Sequence, residues 1–483
     1  MTSVVILSLN GIFPEAEKRM TQTVYNCTTT LKNLRMCDLF AHFEQQPWSM
    51  FLDSANADHP CSRFDMIVAS PVATITVKNQ QTIVCDQGQE EVSEHPAPLD
   101  RLQALIDKYQ HLNVPVNSSI ELPVTTGAFG YLAYDFGRRL EKLPSLTAQD
   151  ISMPDLAFGI YEWSLIRDNQ TGQTYLCCQN EMQKTALLKK LTQPHLQNQD
   201  FSIGDWQANM TEAEYQTRFN QVQDYLHSGD CYQINLAQRF STDFSGSEWQ
   251  AYQILRAHNQ APFSAYIRLE EGCILSVSPE RFVQVFGQDV ETKPIKGTRP
   301  RFAEKEADQR SAQQLAYSAK DQAENVMIVD LLRNDLGRVC QPGTVKVPAL
   351  FEIESFPSVH HLVSTVTGKL GSDKQTTDLL HAAFPGGSIT GAPKIRAMEI
   401  IESLEPHHRS IYCGSIGYLG FNGHMDTSIT IRTLVCHKQQ IHCWAGGGIV
   451  ADSQSASEYQ ETFDKVRKIL PVLKQTGKMS NVS

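Results

Sequence analysis

Residues 415–448 read SIGYLGFNGHMDTSITIRTLVCHKQQIHCWAGGG. Three strand-like runs lie within them: Ser415–Leu419, Thr427–Leu434 and Ile441–Ala445. Asn422-Gly423 separates the first two, and that dipeptide is a strong hairpin signal. The short links predict antiparallel pairing. Gly446-Gly447-Gly448 follows the last run without GxGxxG spacing, so a dinucleotide site is rejected. Its backbone amides remain open to the approach of a carboxylate.

Helices flank this region. Thr211 and Glu214 form a capping box, Tyr215, Phe219, Val222 and Leu226 give a stripe at helical period, and Gly229 ends it. A second long helix is predicted over about 304–332. A third starts at Ser455 as N-cap with Glu458 three residues on, and Tyr459, Phe463, Val466 and Leu470 form its apolar face. Long helices grouped with antiparallel strands predict an α+β fold of large antiparallel sheets flanked by helices. A polar stretch at 188–205, rich in Gln and Asn, divides an N-terminal lobe (1–205) from a catalytic region (206–475). The two are expected to pack as one intertwined unit.

The chain has 483 residues, 41% hydrophobic and 20% charged, which is the composition of a folded protein. Its formal net charge is −11 and no Lys/Arg-dense block occurs, so no nucleic-acid partner is expected. No apolar stretch approaches the ~18 residues of a membrane span. The N-terminus lacks the charged lead of a signal peptide. Twelve cysteines without CxxC spacing suggest reduced thiols rather than a zinc site, and a cytoplasmic protein.

Several side chains are candidates for chemistry. Asp321 and Glu324, and likewise Glu458 and Glu461, are three apart on predicted helices, so each pair shares a helical face. Such pairs are ordinarily solvated surface. Brought together, the four would repel unless a cation such as Mg²⁺ sat among them. Lys296 follows a β-like segment and precedes a glycine; desolvation would make it a nucleophile, and the plainer reading is a solvated loop lysine. Glu280 follows the apolar run Cys273–Val277 and suits general acid work, or else an ion pair with Arg281. His361 lies in a strand-like run, and Arg432 within an apolar strand where it would need an anionic partner.

In order, the blocks are Tyr232 to Leu236, Ser278 to Phe282, Pro294 to Thr298, Ala323 to Leu331, Gly387 to Lys394, Gly417-Tyr418, Ile431 to Thr433, Gly446 to Val450 and the Glu458–Lys465 helix. Together they resemble the chorismate-utilising enzymes, the group of anthranilate, aminodeoxychorismate, isochorismate and salicylate synthases. Leu52-Asp53-Ser54 and Gly127–Leu132 are similar to the N-terminal lobe of the aminating members, so the fold implied is that of anthranilate synthase component I. By the resemblance, Glu324 and Glu461 bind Mg²⁺, and Asp321 and Glu458 reach it through water. Thr390, Gly391, Tyr418, Arg432, Gly446, Gly447, Gly448 and Lys465 hold chorismate, and Glu280 and His361 move protons. A tryptophan pocket is implied near Ser54.

Two positions discriminate within the family. Water-adding members carry a lysine base where this chain has Gln233. Anthranilate synthases carry alanine, and aminodeoxychorismate synthases lysine, at position 296. The resemblance therefore implies amination at C4 through a covalent Lys296 intermediate. No cysteine has the Gly-x-Cys-x-Gly context of a class I amidotransferase, so a separate glutamine amidotransferase subunit is expected to supply ammonia. The alternatives are anthranilate synthesis and a non-catalytic chorismate-binding relative.

Overall fold

The structure is a computed structural model that describes residues 23–476, apart from 29–30, 33, 95–96, 117–119, 196–199 and 357–358. Two large antiparallel sheets dominate it, of 13 and 12 strands. Strands from both ends of the chain share each sheet. In one, Ser49–Asp53 pairs with Phe263–Arg268; in the other, Gly127–Leu132 pairs with Ser415–Gly420. The largest core cluster accordingly mixes Ile75, Phe129 and Phe158 with Phe282, Ile416 and Met425. At about 1.5–3 kcal/mol for each buried large apolar side chain, this shared core ties the two regions to each other.

The hairpin around Asn422-Gly423 joins Ser415–Gly420 to Met425–Ile429, with Gly423 at φ +80°. The predicted strand Thr427–Leu434 is two strands. Met425–Ile429 belongs to the 12-stranded sheet and Thr433–His437 to the other. Arg432 therefore lies at a corner, with φ 52°, and not inside a strand. Apolar residues on both sides of the corner hide it from a periodicity argument. The last strand is longer than expected, Gln440–Ile449, and contains Gly446–Gly448.

A second chain segment makes the same crossing. Gly272–Ser278 lies in the 13-stranded sheet and Arg281–Phe286 in the 12-stranded one. The two crossings run side by side: the Ile429 amide donates to the Glu280 carbonyl at 3.0 Å, and the Val277 amide to the Arg432 carbonyl at 3.1 Å. Glu280 and Arg432 thus occupy adjacent corners between the sheets.

The helix Glu212–His227 is capped reciprocally by Thr211 and Glu214. The predicted helix 304–332 is broken into Lys305–Ala316 and Ala319–Gly337, because Ser318 caps the second by accepting from the Asp321 amide. The helix Ser455–Val466 buries Glu458, Thr462 and Val466, so its inner face includes an acid, while Tyr459 and Phe463 are only half-buried. Among the described residues no helix is long and apolar enough to cross a membrane.

Segment 138–147 of the N-terminal region is strapped to the helix Lys394–Leu404 through Glu402. This buried carboxylate accepts from Arg138, from the Leu146 and Thr147 amides at 2.6 and 2.9 Å, and from Thr147 Oγ1. Burial pushes its pKa up, but Arg138 and the two amides outweigh burial and hold it below the ordinary value. Its stabilisation is therefore present at neutral pH and lost as pH falls through the folded-state pKa. Glu402→Ala is expected to cost about 3 kcal/mol in urea unfolding at pH 7, and less at pH 3; an equal loss at both values would contradict this role.

Candidate functional site

A cavity of about 520 Å³ opens where the two corners meet the helices Ala319–Gly337 and Ser455–Val466. Glu280 and Arg432 line it, as do Lys296, His361, Asp321, Glu324, Glu458, Glu461 and Lys465. Gly446 and Gly448 form part of its wall. The strand Thr433–His437 pairs with Gln440–Ile449 only as far as Cys443, so the glycines have a strand neighbour on one side alone, Gln233–Gly246. That leaves backbone groups of the outer edge available to a ligand.

Lys296 reaches the cavity through a local irregularity. Its strand, Ile295–Pro300, pairs with Val359–Lys369, but the register slips by one residue between Ile295 and Thr298. The extra residue makes a bulge, and bulges re-aim side chains. Gly297, at φ +77°, allows it. A Cβ there would also sit 2.7 Å from Leu315 Cδ1 and 2.8 Å from Asp321 Cγ, so the acid-bearing helix can approach only a glycine. The Lys296 ammonium donates to the Ser388 carbonyl at 3.1 Å and makes no ion pair among the described residues. Burial pushes its pKa down, against the opposing pull of Glu324 and Glu280.

Glu280 is 6% exposed and accepts from Ser388 Oγ at 3.3 Å. Burial raises its pKa, and Lys296 limits the rise. Arg281, its alternative partner in sequence, pairs instead with Asp426 at 2.9 Å. The half-buried Arg432 guanidinium has no hydrogen bond or ion pair among the described residues, which leaves a cation in the cavity wall open to an anion. His361 Nδ1 lies 2.9 Å from Thr298 Oγ1, and burial, with Arg432 and His59 adding to it, lowers its pKa to about 4.

The four helix acids reach the cavity from two sides, each pair on its own helix. Positive side chains lie beside them: Lys465 is 2.7 Å from Glu461, Lys320 3.6 Å from Glu458, and Arg299 3.1 Å from Asp321. Glu458 and Glu461 converge over Gly447, where a Cβ would sit 3.1 and 3.2 Å from their oxygens. As the side chains stand, no three His, Cys, Asp or Glu among the described residues close around one point as a metal shell. The donor set is nonetheless all carboxylate oxygen, the kind that suits a hard divalent cation.

Some expected residues lie elsewhere. Tyr418 is on a strand that faces a second cavity, of about 430 Å³ between the sheets, and does not line the first. The tyrosine in the first cavity is Tyr412, in an adjoining segment of the chain. Thr390 is fully buried with its hydroxyl bonded to the Gly386 carbonyl, and neither it nor Gly391 lines the cavity. Ser54 donates to Asp65 at 2.6 Å; its neighbours Leu52 and Asp53 line the inter-sheet cavity. Gln233 is fully buried against Gly448, and its amide nitrogen and oxygen have no partner among the described residues. Asn235, Ser388, Tyr412 and Trp444 were not singled out from the sequence, although Asn235 and Ser388 fall inside the blocks quoted above.

Residues 49–471 match the family described as chorismate binding enzyme. Aminodeoxychorismate synthase component 1 of Escherichia coli K12 is 52% identical over 438 residues, covering 90% of this chain and 95% of that protein. Anthranilate synthase component 1 of Thermus thermophilus is 37% identical, covering 88% and 92%. Among solved structures, anthranilate synthase component I from Streptococcus pneumoniae superposes with a TM-score of 0.75 at 31% identity, covering 86% and 93%.

A histidine whose folded-state pKa is below 6.5 costs stability on acidification, because the unfolded chain takes up a proton that the folded chain refuses. Between about pH 6.5 and 4, wild-type protein is expected to lose more stability than His361→Gln, measured by urea unfolding at pH 7 and 5. Equal losses in the two proteins would contradict a neutral, half-buried His361.

Proposed function

The chain belongs to the chorismate-binding enzyme family, and we propose that it aminates chorismate at C4 to give aminodeoxychorismate, as component 1 of a two-component synthase. The observation that carries this reading is Lys296, desolvated, free of an ion pair among the described residues, and in one cavity with the buried Glu280. A neutral amine is a nucleophile and an ammonium is not, so burial supplies the activation that a solvated lysine lacks.

In the proposed sequence, the Lys296 amine bonds to C2 of chorismate, the ring double bonds shift, and the C4 oxygen leaves with a proton from Glu280. Ammonia then bonds to C4, the double bonds shift back, and the lysine amine departs from C2. Glu280, left ionised by the first displacement, takes up the proton that the entering nitrogen sheds, with His361, neutral down to about pH 4, in the same cavity. Arg432, Lys465 and the outer edge of Gly446–Gly448 hold the substrate carboxylates, and Tyr412 takes the place expected of Tyr418. Gln233, neutral and without a base's proton affinity, disfavours addition of water.

Glu324 and Glu461 would hold Mg²⁺ directly, and Asp321 and Glu458 through water. Lys320 and Lys465 already stand as cations beside two of these carboxylates, which supports a site built for positive charge. Bound there, the ion supplies charge beside the ring carboxylate, where electron density accumulates. The component 1 name of the relatives supports a second subunit, and a glutamine amidotransferase that delivers ammonia fits the absence of a nucleophile-elbow cysteine here. The inter-sheet cavity beside Ser54 is the place for a tryptophan-sized ligand.

Incubation with chorismate, Mg²⁺ and ammonium tests the reading: aminodeoxychorismate is expected, and direct release of anthranilate would overturn it. Lys296→Ala should lower aminodeoxychorismate formation by roughly 10²-fold or more and divert residual turnover to C2 amination; a wild-type rate would remove the covalent step. Glu324→Gln should raise the Mg²⁺ concentration for half-maximal rate about tenfold and lower turnover with it. An unchanged Mg²⁺ titration would take Glu324 out of the metal site.

A further inference from the structure

Arg409 is 1% exposed and does not line the catalytic cavity. All three nitrogens of its guanidinium are nonetheless hydrogen-bonded. Nε donates to Glu405 Oε2 at 2.9 Å and Nη2 to Glu405 Oε1 at 2.6 Å, a two-pronged buried pair. Two further donors go to backbone carbonyls: Nη2 to Asn235 at 2.6 Å and Nη1 to Ile389 at 3.1 Å. Glu405 Oε1 accepts in turn from the Ala237 amide at 2.9 Å. The Tyr134 and Tyr412 rings lie 4.7 and 5.7 Å from the guanidinium carbon.

Both carbonyls belong to walls of the cavity. Asn235 and Ile389 line it, and the two segments are joined by the Asn235 amide donating to the Thr390 carbonyl at 2.9 Å. The residue before Ile389 is Ser388, whose carbonyl receives the Lys296 ammonium and whose hydroxyl reaches Glu280. One guanidinium therefore fixes the peptide next to the group that aims both Lys296 and Glu280. A planar fork with five donors can serve a carboxylate and two carbonyls together; an ammonium, a compact charge with three donors, cannot reproduce that geometry.

We propose that Arg409, locked by Glu405, is a positioning residue that holds the 388–390 segment against the strand Gln233–Gly246 and so aims Lys296 and Glu280 at the substrate. The inference rests on the functional reading above. Arg409 touches neither substrate nor reacting groups, so its effect falls on turnover rather than on chorismate binding.

The test is Arg409→Lys, which keeps the charge beside Glu405 but loses the fork. With saturating Mg²⁺ and ammonium, kcat should fall about 10- to 100-fold while KM for chorismate stays within about threefold, as expected when reacting groups are misplaced by about an ångström. Hydrogen exchange should quicken in the peptide spanning 233–237 and in that spanning 386–391. Arg268→Lys, in an ion pair with Glu248 outside the cavity, is the control and should keep wild-type kcat. Should Arg409→Lys fail to fold, Glu405→Gln carries the test, with a smaller loss in kcat at constant KM expected. Wild-type kcat in the folded variant, or a rise in KM alone, would overturn the positioning role. A fully active Lys296→Ala would overturn the nucleophile but leave this comparison standing, because Glu280 is aimed by the same segment.

Discussion

Two neighbouring strands change sheets at the same place, and the site depends on that double crossing. The amides of Ile429 and Val277 bond across it to the carbonyls of Glu280 and Arg432, so the two corners are stitched to each other rather than left as loops. The crossing sets a carboxylate and a guanidinium at the junction of both sheets, away from bulk water, where neither is naturally stable alone. Arg432 accepts a left-handed backbone conformation there, a cost that persists only where the surroundings over-determine it. The other groups are then brought to these corners: Lys296 by a bulge, the acids by two helices, the glycines by the last strand.

Burial is the common electrostatic cause. It pushes Lys296 toward the neutral amine, Glu280 toward the protonated acid and His361 toward neutral imidazole. Each shift favours the form that the proposed displacement requires, and the three arise together because they share one cavity. On the acidic side of the cavity burial raises Glu324 as well, with Lys296 and Lys320 limiting the rise. Glu461 is held below its ordinary pKa because Lys465 outweighs its burial. A carboxylate held toward its ionised form and a lysine pushed toward its neutral form share the cavity, the polarity expected of a site that binds a cation and an anionic substrate together.

The local features of the fold were legible in the sequence. The capping box at Thr211 and Glu214 and the turn at Asn422-Gly423 rest on contacts within a few residues, which a sequence prints directly. The break at Ser318 and the corner at Arg432 are not legible there, because a capping serine inside a helical pattern and an apolar run that changes sheets carry no periodic mark. The tyrosines show the same limit. Alternation tells which strand residues share a face, but Tyr412 lies in the turn 410–413, ahead of the strand that carries Tyr418, where no alternation applies. Gly297 sat in a block already quoted, yet its need for positive φ and for the approach of Asp321 emerges only when strand and helix meet. Asn235 and Ser388 were passed over for a related reason: as neutral side chains they announce no chemistry until a lysine or an arginine is found on their carbonyls.

The proposed mechanism requires a desolvated Lys296 to form a bond to the substrate. It is tested most directly by mass spectrometry of protein denatured after brief exposure to chorismate and Mg²⁺ without ammonia. An adduct is expected on the peptide that carries Lys296, lost again when ammonium is added before the denaturant. An unmodified Lys296 in protein that converts chorismate to aminodeoxychorismate under the same conditions with ammonium present would contradict it.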